Sequence, residues 1–362
     1  MSASLPVFPW DTLADAAAVA RAHPDGVVDL SVGTPVDPVD PVIQQALAHA
    51  AAAPGYPLTA GTPRLRAAAV SALARRHGVS GLDERAVLPV IGSKELIAWL
   101  PTLLGLGPED LVVIPELAYP TYAVGARLAG CPLTATDALI GLGPQVPALV
   151  YLNSPANPTG RVLGVEHLRK VVAWARERGT LVVSDECYLG LGWEEEPVSV
   201  LHPQVCEGDH TGILAVHSLS KTSSLAGYRA AFVAGDAGLV AELLAVRKHA
   251  GMMVPGPVQA AMTVALEDDE HRGAQRERYA RRRETLLAAV RSAGFTVHDS
   301  AAGLYLWVTR DEPCRDTVAW LAGRGILVAP GDFYGPAGAR HVRIALTATD
   351  ERVAAAVSRL AG

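Results

Sequence analysis

The chain is poor in several things at once, and each shortage narrows what it can be. Its 362 residues hold four cysteines, at positions 131, 187, 206 and 314, and no C-x-x-C pair. Spacing of that kind excludes a metal finger and a disulfide framework, and it predicts reduced structural thiols in a cytoplasmic protein. No run of 18 apolar residues occurs, and the opening MSASLPVFPWD has neither the basic nor the apolar region of a secretion signal. The expectation is a protein that is neither exported nor membrane-spanning. Charge is modest, at 19% charged residues and a net of -6, which speaks against a disordered tail or a polyanion-binding surface. Neither G-x-G-x-x-G nor G-x-x-x-x-G-K-[ST] appears, so dinucleotide and P-loop readings lose their main support. Lysine is scarce. Only four of the 31 basic side chains are lysine, at 94, 170, 221 and 248, so a chemistry that needs a primary amine has few candidates.

What is present is a regular alternation. Half of the residues are hydrophobic, and the length suggests a large and a small structural unit. From Val87 onward, short β-branched runs (VLPVI, DLVVIP, PALVYL, TLVVS, GILAVHS, RAAFVAG) are separated by helical or polar stretches. A βα series of this kind predicts an α/β fold with a mainly parallel sheet covered by helices, with ligands at the carboxyl ends of the strands. Leu239 to Leu266 and Glu270 to Gly294 read as helices, the second long enough to link two units. The tail changes texture: FTVH, GLYLWV, GILVAP and HVRIAL read as strands around two helices, which predicts a smaller α+β unit.

The polar clusters fall at the strand ends. Lys221, in SLSKTSSLAGYR, follows the buried run GILAVHS and lies close in sequence to Arg229. Desolvation and a nearby cation both disfavour an ammonium, as a Schiff-base lysine requires, although a surface lysine in a loop fits the same string. GSKE, with Ser93 and Lys94, stands between a strand and a helix, where free N–H groups suit a phosphate; an ordinary N-cap by Ser93 is the alternative. DECY puts Asp185 at a strand end near Tyr188, able to hold a proton on a heteroaromatic nitrogen or merely to cap a turn. Asn157, in the turn-forming NPTG, faces the same cleft. Arg343, flanked by apolar residues in HVRIAL, needs an anion, either an internal carboxylate or a substrate's. The arginine-rich RERYARRR carries interleaved glutamates and reads as a solvated helix face rather than a nucleic-acid surface.

Taken in order, SVGTP with Gly33, YPLTAGTPRLR with Tyr56, GSKE, AYPTY with Tyr119, NPTG, SDECY, SLSKTSSLAGYR and Arg343 resemble the fold-type I pyridoxal-phosphate enzymes of the class I and II aminotransferase family, over essentially the whole chain. The resemblance implies a cofactor, pyridoxal 5'-phosphate, bound to Lys221, which would also carry the proton at the substrate's Cα. It implies that Asp185 pairs with the ring nitrogen, that Tyr188 and Asn157 bind the ring oxygen, and that Tyr119 stacks on the ring. Ser93, Lys94, Ser218 and Arg229 would hold the phosphate, while Arg343, Asn157 and Gly33 would hold the substrate carboxylate. Tyr56 would reach the phosphate of a neighbouring subunit, which makes the expected assembly a homodimer with shared sites and small-molecule amino donors and keto acids as its partners, without metal, nucleic acid or membrane. The implied layout is an arm and part of the small domain at 1–35, a large cofactor-binding domain at 36–255, and a small domain with the linking helix at 256–362. The strings FPWDTL, GYPLTAGTP and APGDFYG are further similar to succinyldiaminopimelate aminotransferases of lysine and cell-wall synthesis. That similarity implies ping-pong transfer from glutamate to N-succinyl-LL-2-amino-6-oxopimelate. Transamination of another amino acid, β-elimination at a C–S bond, or cofactor binding without catalysis would use the same frame.

Overall fold

The computed structural model describes residues 5–362, so Met1 to Ser4 of the expected arm lie outside the described residues. Along the chain, α1 (Ala14–Arg21) and β1 (Val28–Asp29) precede α2 (Pro41–His49) and α3 (Pro63–His77). Then come β2 (Val87–Ile91), α4 (Ser93–Leu103), β3 (Val112–Ile114), α5 (Thr121–Ala129), β4 (Leu133–Ala135) and β5 (Leu149–Asn153). They are followed by α6 (Val165–Arg178), β6 (Leu181–Asp185), α7 (Pro203–Cys206), β7 (Ile213–Ser218) and β8 (Ala230–Gly235). Helices α8 (Ala237–Ala250), α9 (Gly256–Glu267) and α10 (Glu270–Ser292) lead to β9 (Thr296–His298) and β10 (Tyr305–Thr309). The chain ends with α11 (Cys314–Ala322), β11 (Ile326–Leu327), β12 (Ala329–Pro330), β13 (Val342–Ala345) and α12 (Asp350–Ala361).

The main sheet has seven strands in the order β2-β8-β7-β6-β5-β3-β4, parallel throughout except that β8 runs antiparallel to both its neighbours. Its strands are continuous apolar runs because both faces are covered. Successive side chains point to opposite faces, so Leu149, Tyr151, Val183, Leu214 and Val216 enter one core while Val150, Leu152, Val182, Ile213 and Ala215 enter the other. A third core surrounds the antiparallel four-stranded sheet β12-β13-β10-β9. Strand β1 pairs in parallel with β11 in a two-stranded sheet of their own, which brings the N-terminal segment into the core around the four-stranded sheet.

Two local expectations are corrected, and one short strand was not among them. The single helix over Leu239–Leu266 is two helices: Gly251 ends α8 in the left-handed region at φ 68, and Pro255 precedes the start of α9. Helix α9 then contributes Ala261, Met262, Ala265 and Leu266 to the core that also holds Ile43 of α2 and Leu65 of α3. Strand β4, three residues long and at the sheet edge, has no alternation long enough to be read from sequence. The arginine-rich stretch of α10 is a solvated face only in part: Arg276, Glu277, Arg281 and Glu284 are exposed, while two of its arginines turn inward. Arg282 is buried and donates to Asp37 at 2.7 and 2.6 Å and to Asp350 at 2.6 Å, and Arg283 reaches Glu194 and the Ser300 carbonyl. These arginines tie α10 to α12 and to the segment before α2; their partners are distant in sequence, and the interleaved glutamates are not among them.

Candidate active site

A cavity of about 480 Å3 opens at the carboxyl ends of β5, β6 and β7, where the second sheet meets the first. Every candidate residue named above lines it except Tyr56. Tyr56 is 99% exposed and lies outside it.

Strand β7 ends at Ser218 and delivers Lys221 to the cavity, where its Nζ donates to the Gly33 carbonyl. Burial pushes the Lys221 amine below its ordinary range and Arg343 and Arg229 push the same way, against Tyr305 and Cys187. The surface-loop alternative for this lysine does not hold.

Strand β6 ends at Asp185. Its Oδ1 accepts the Cys187 N–H at 3.2 Å and its Oδ2 accepts the Tyr122 hydroxyl at 2.8 Å. Burial nevertheless raises its pKa, because neither donor is a cation. A carboxylate held on the floor of a cavity with neutral donors alone fits a ligand that brings a protonated nitrogen. Beyond β5, Asn153 accepts the Asn157 N–H at 2.7 Å and donates to the Asp185 carbonyl at 2.9 Å, which locks the NPTG loop to the end of β6. The Asn157 Oδ1 accepts from Arg343 at 2.8 Å, leaving its Nδ2 to donate elsewhere.

Arg343 stands on β13, 2% exposed, with its guanidinium 3.9 Å from the Tyr305 ring centre and 5.2 Å from that of Tyr334. It donates to Asn157 and to the Ser31 carbonyl at 2.6 Å, while Nε has no partner. Among the described residues no carboxylate pairs with it, so an internal counter-ion is ruled out. A buried cation in this state is stabilised by an anion entering the cavity.

At the other end, Gly92 is the N-cap of α4 at φ 82, with no side-chain cap, and Ser93 is the first helical residue rather than the cap. The first amides of α4 are therefore open to the cavity. Arg229 lies so close to Gly92 that a Cβ there would sit 2.1 Å from its NH2. Ser218 and Ser220 share a hydrogen bond of 2.9 Å beside them. Burial and Arg229 lower the Lys94 pKa. Helix α4 is held from behind by fully buried Arg247, which grips Glu95 at 2.9 and 3.2 Å. Uncapped amides, two hydroxyls and a guanidinium form a cup that fits a phosphate.

Between these ends, the buried hydroxyl of Tyr119 is pushed up to about 12 by desolvation, and Tyr188 meets Tyr305 hydroxyl to hydroxyl at 3.0 Å. Tyr122, Cys187, Ser220, Tyr305 and Trp10 are site residues that the sequence reading missed. Tyr122 and Cys187 were within reach, since they sit inside AYPTY and SDECY; Tyr305 and Trp10 carry no local signal.

The phosphate cup, Asp185, Lys221 and Arg343 line one cavity, a set of groups that suits pyridoxal phosphate, and comparison with known proteins agrees. The family model described as "Aminotransferase class I and II" matches residues 25–360. A probable aminotransferase of Mycobacterium tuberculosis is 78% identical over 360 residues, covering 99% of this chain and 86% of the relative. The 4-dedimethylamino-4-oxo-anhydrotetracycline transaminase OxyQ of Streptomyces rimosus is 58% identical over 356 residues, covering 98% of this chain and 99% of the relative. Among solved structures, a probable N-succinyldiaminopimelate aminotransferase of Thermus thermophilus superposes with a TM-score of 0.88 at 29% identity, covering 98% of this chain and 99% of that one. The chain belongs to the class I and II aminotransferases, fold-type I enzymes that depend on pyridoxal phosphate.

Proposed function

We propose that this aminotransferase takes the amino group of glutamate and passes it to N-succinyl-LL-2-amino-6-oxopimelate in two half-reactions at one site. The observation that carries the amino-acid half is Arg343, a buried guanidinium without a carboxylate that faces the same cavity as Lys221. The name of the Thermus structure supports the acceptor.

When bound, pyridoxal phosphate supplies a carbonyl that condenses with amines and a ring that accepts the electron pair left at Cα. The chain supplies the rest. Asp185 keeps the ring nitrogen protonated, and its own buried charge is relieved by doing so. Tyr188 and the Nδ2 of Asn157 hold the ring oxygen, Tyr119 covers the ring face, and Ser93, Lys94, Ser218 and Arg229 fix the phosphate. Arg343 binds the substrate carboxylate through its fork, with Asn157 and Gly33 beside it, and so turns the Cα–H bond toward Lys221. Freed by substrate, the Lys221 amine would take the Cα proton and give it back on the far side of the imine nitrogen, at the carbon that had been the cofactor's carbonyl; its lowered pKa suits the exchange. One product leaves before the second substrate enters, so ping-pong kinetics follow.

Two further parts belong to the same reading. Tyr56 completes the phosphate cup of a partner subunit in a homodimer. The arm at 1–35 and the small domain at 256–362 form one unit against the large domain at 36–255, supported by the pairing of β1 with β11, although α9 packs with the large unit.

The Streptomyces relative favours a second reading, in which the acceptor is a polycyclic ketone. Incubating the enzyme with glutamate alone tests the shared half: one equivalent of 2-oxoglutarate per site and a change in cofactor colour are expected, and both vanish in Lys221→Ala. A panel of acceptors then separates the readings. Pyruvate and ammonia released from cystathionine, with no 2-oxoglutarate from glutamate, would overturn transamination.

A further inference from the structure

Tyr305 stands on β10, next to the strand that carries Arg343, and is 4% exposed. Its ring supports the Arg343 guanidinium at 3.9 Å and meets the Tyr188 ring edge-on at 5.7 Å. Its hydroxyl presses against Gly33, where a Cβ would lie 2.2 Å from the oxygen. The one hydrogen bond of that hydroxyl among the described residues is with the Tyr188 hydroxyl, at 3.0 Å.

Two phenols that share a single contact can place only one proton between them. If Tyr188 were the donor, the Tyr305 proton would be buried with no acceptor, and a buried unsatisfied donor is costly. Both tyrosines line the cavity; if Tyr305 is the donor, the proton left over is that of Tyr188, and the ring oxygen placed beside Tyr188 above is its acceptor. We propose that Tyr305 is a positioning residue that donates to the Tyr188 oxygen, so that Tyr188 gives its own proton to the ring oxygen of the bound cofactor. This rests on the placement of Tyr188 at the ring oxygen argued above and adds a fixed direction to it.

The direction has a measurable consequence. A phenol that accepts a hydrogen bond becomes a stronger donor, so Tyr305 strengthens the hold of Tyr188 on a negatively charged ring oxygen. Stabilising that charge makes the neighbouring imine nitrogen give up its proton more readily, which lowers the pH at which the lysine-bound cofactor changes colour. Groups that face this pair also bear on the midpoint: Arg343, Lys221, Tyr119, Tyr334 and Tyr279. Tyr305→Phe leaves all of them in place. It keeps the ring, the edge-on contact with Tyr188 and the Arg343 stack, and it removes a single oxygen.

The experiment is a pH titration of the visible spectrum of the holoenzyme for wild type, Tyr305→Phe, Tyr188→Phe and the double variant. If a charge-assisted bond of roughly 1.5–3 kcal/mol loses about 10–30% of its strength, the Tyr305→Phe midpoint rises by roughly 0.1–0.7 of a pH unit. Tyr188→Phe raises it further, and the double variant matches Tyr188→Phe because Tyr305 acts through Tyr188. Tyr305→Ala, which also strips the stack from Arg343, raises the KM for glutamate as well. An unmoved midpoint in Tyr305→Phe beside a shifted one in Tyr188→Phe overturns the inference alone. An unmoved midpoint in Tyr188→Phe overturns the placement of Tyr188 and the inference with it. Shifts that add in the double variant would show Tyr305 acting by another route and would also overturn it.

Discussion

Replacing Gly92 by alanine separates backbone strain from ligand binding in the phosphate cup. Gly92 lies at φ 82 and ψ 147, a region almost confined to glycine. Any other residue there costs roughly 1–3 kcal/mol of folding stability, with or without cofactor. The second effect is steric. The new Cβ would meet Arg229 at 2.1 Å from NH2 and 2.6 Å from Cζ, so the guanidinium has to withdraw from the end of α4. If Arg229 holds the phosphate, the enzyme then loses a charge-assisted hydrogen bond worth roughly 1.5–3 kcal/mol, which weakens cofactor binding roughly 10- to 150-fold. Apoprotein titrated with pyridoxal phosphate and followed by absorbance reads the affinity, and thermal unfolding of the apoprotein reads the strain. In the Arg229→Ala background the Gly92→Ala substitution should keep its effect on unfolding and lose most of its effect on binding. Cofactor affinity within twofold of wild type, alongside the loss of stability, would refute the role given to Arg229.

The remaining predictions concern the clamp and the tie between units. Arg343→Lys keeps the charge and loses the planar fork and the stack on Tyr305, so kcat/KM for glutamate should fall on the order of 100-fold, with most of the change in KM; an unchanged KM would remove Arg343 from the carboxylate site. Asp37→Asn tests the buried tie to Arg282 in thermal unfolding across pH. Burial raises the Asp37 carboxyl, but hydrogen bonds from Arg282 and Gln275 outweigh it, and its pKa lies below the ordinary 3.8. The unfolded chain therefore takes up the proton first, so this contribution is complete above pH 3.8 and drains away as the pH falls below it. Wild type should exceed the variant by roughly 3–5 kcal/mol at neutral pH and lose that margin in acid; a margin independent of pH would show that the charge is not what the tie uses.

Much of the candidate site was legible because the proposed cofactor residues sit where local pattern is strongest. A buried strand must end somewhere, and the residues just past the apolar runs of β5, β6 and β7 are Asn157, Asp185 and Lys221. Parallel strands place those ends on one edge of the sheet, so three separate strings could be assigned to one cleft before any coordinate was known. Helix α4 was legible for the same reason, since glycine after VLPVI and before an amphipathic run marks a helix start.

Other features depend on contacts between residues far apart in the chain, and no local pattern encodes them. Arg282 looked solvated because its neighbours on α10 are charged, yet Asp37 and Asp350 reach it from distant segments. Arg343 carried two equal explanations until packing showed tyrosine faces and no carboxylate around it. The Tyr305 hydroxyl has meaning only beside Tyr188, which lies on the other sheet's side of the cavity. Sequence by itself determined the alternation of strands and helices and put Lys221 just past a buried strand, because hydrophobic periodicity is local; the class of cofactor came from the resemblance of its motifs to a known family. The tertiary structure alone decided which buried charges are paired, which hydroxyls meet and what Gly92 leaves room for, because those follow from which distant side chains share a few ångströms of space.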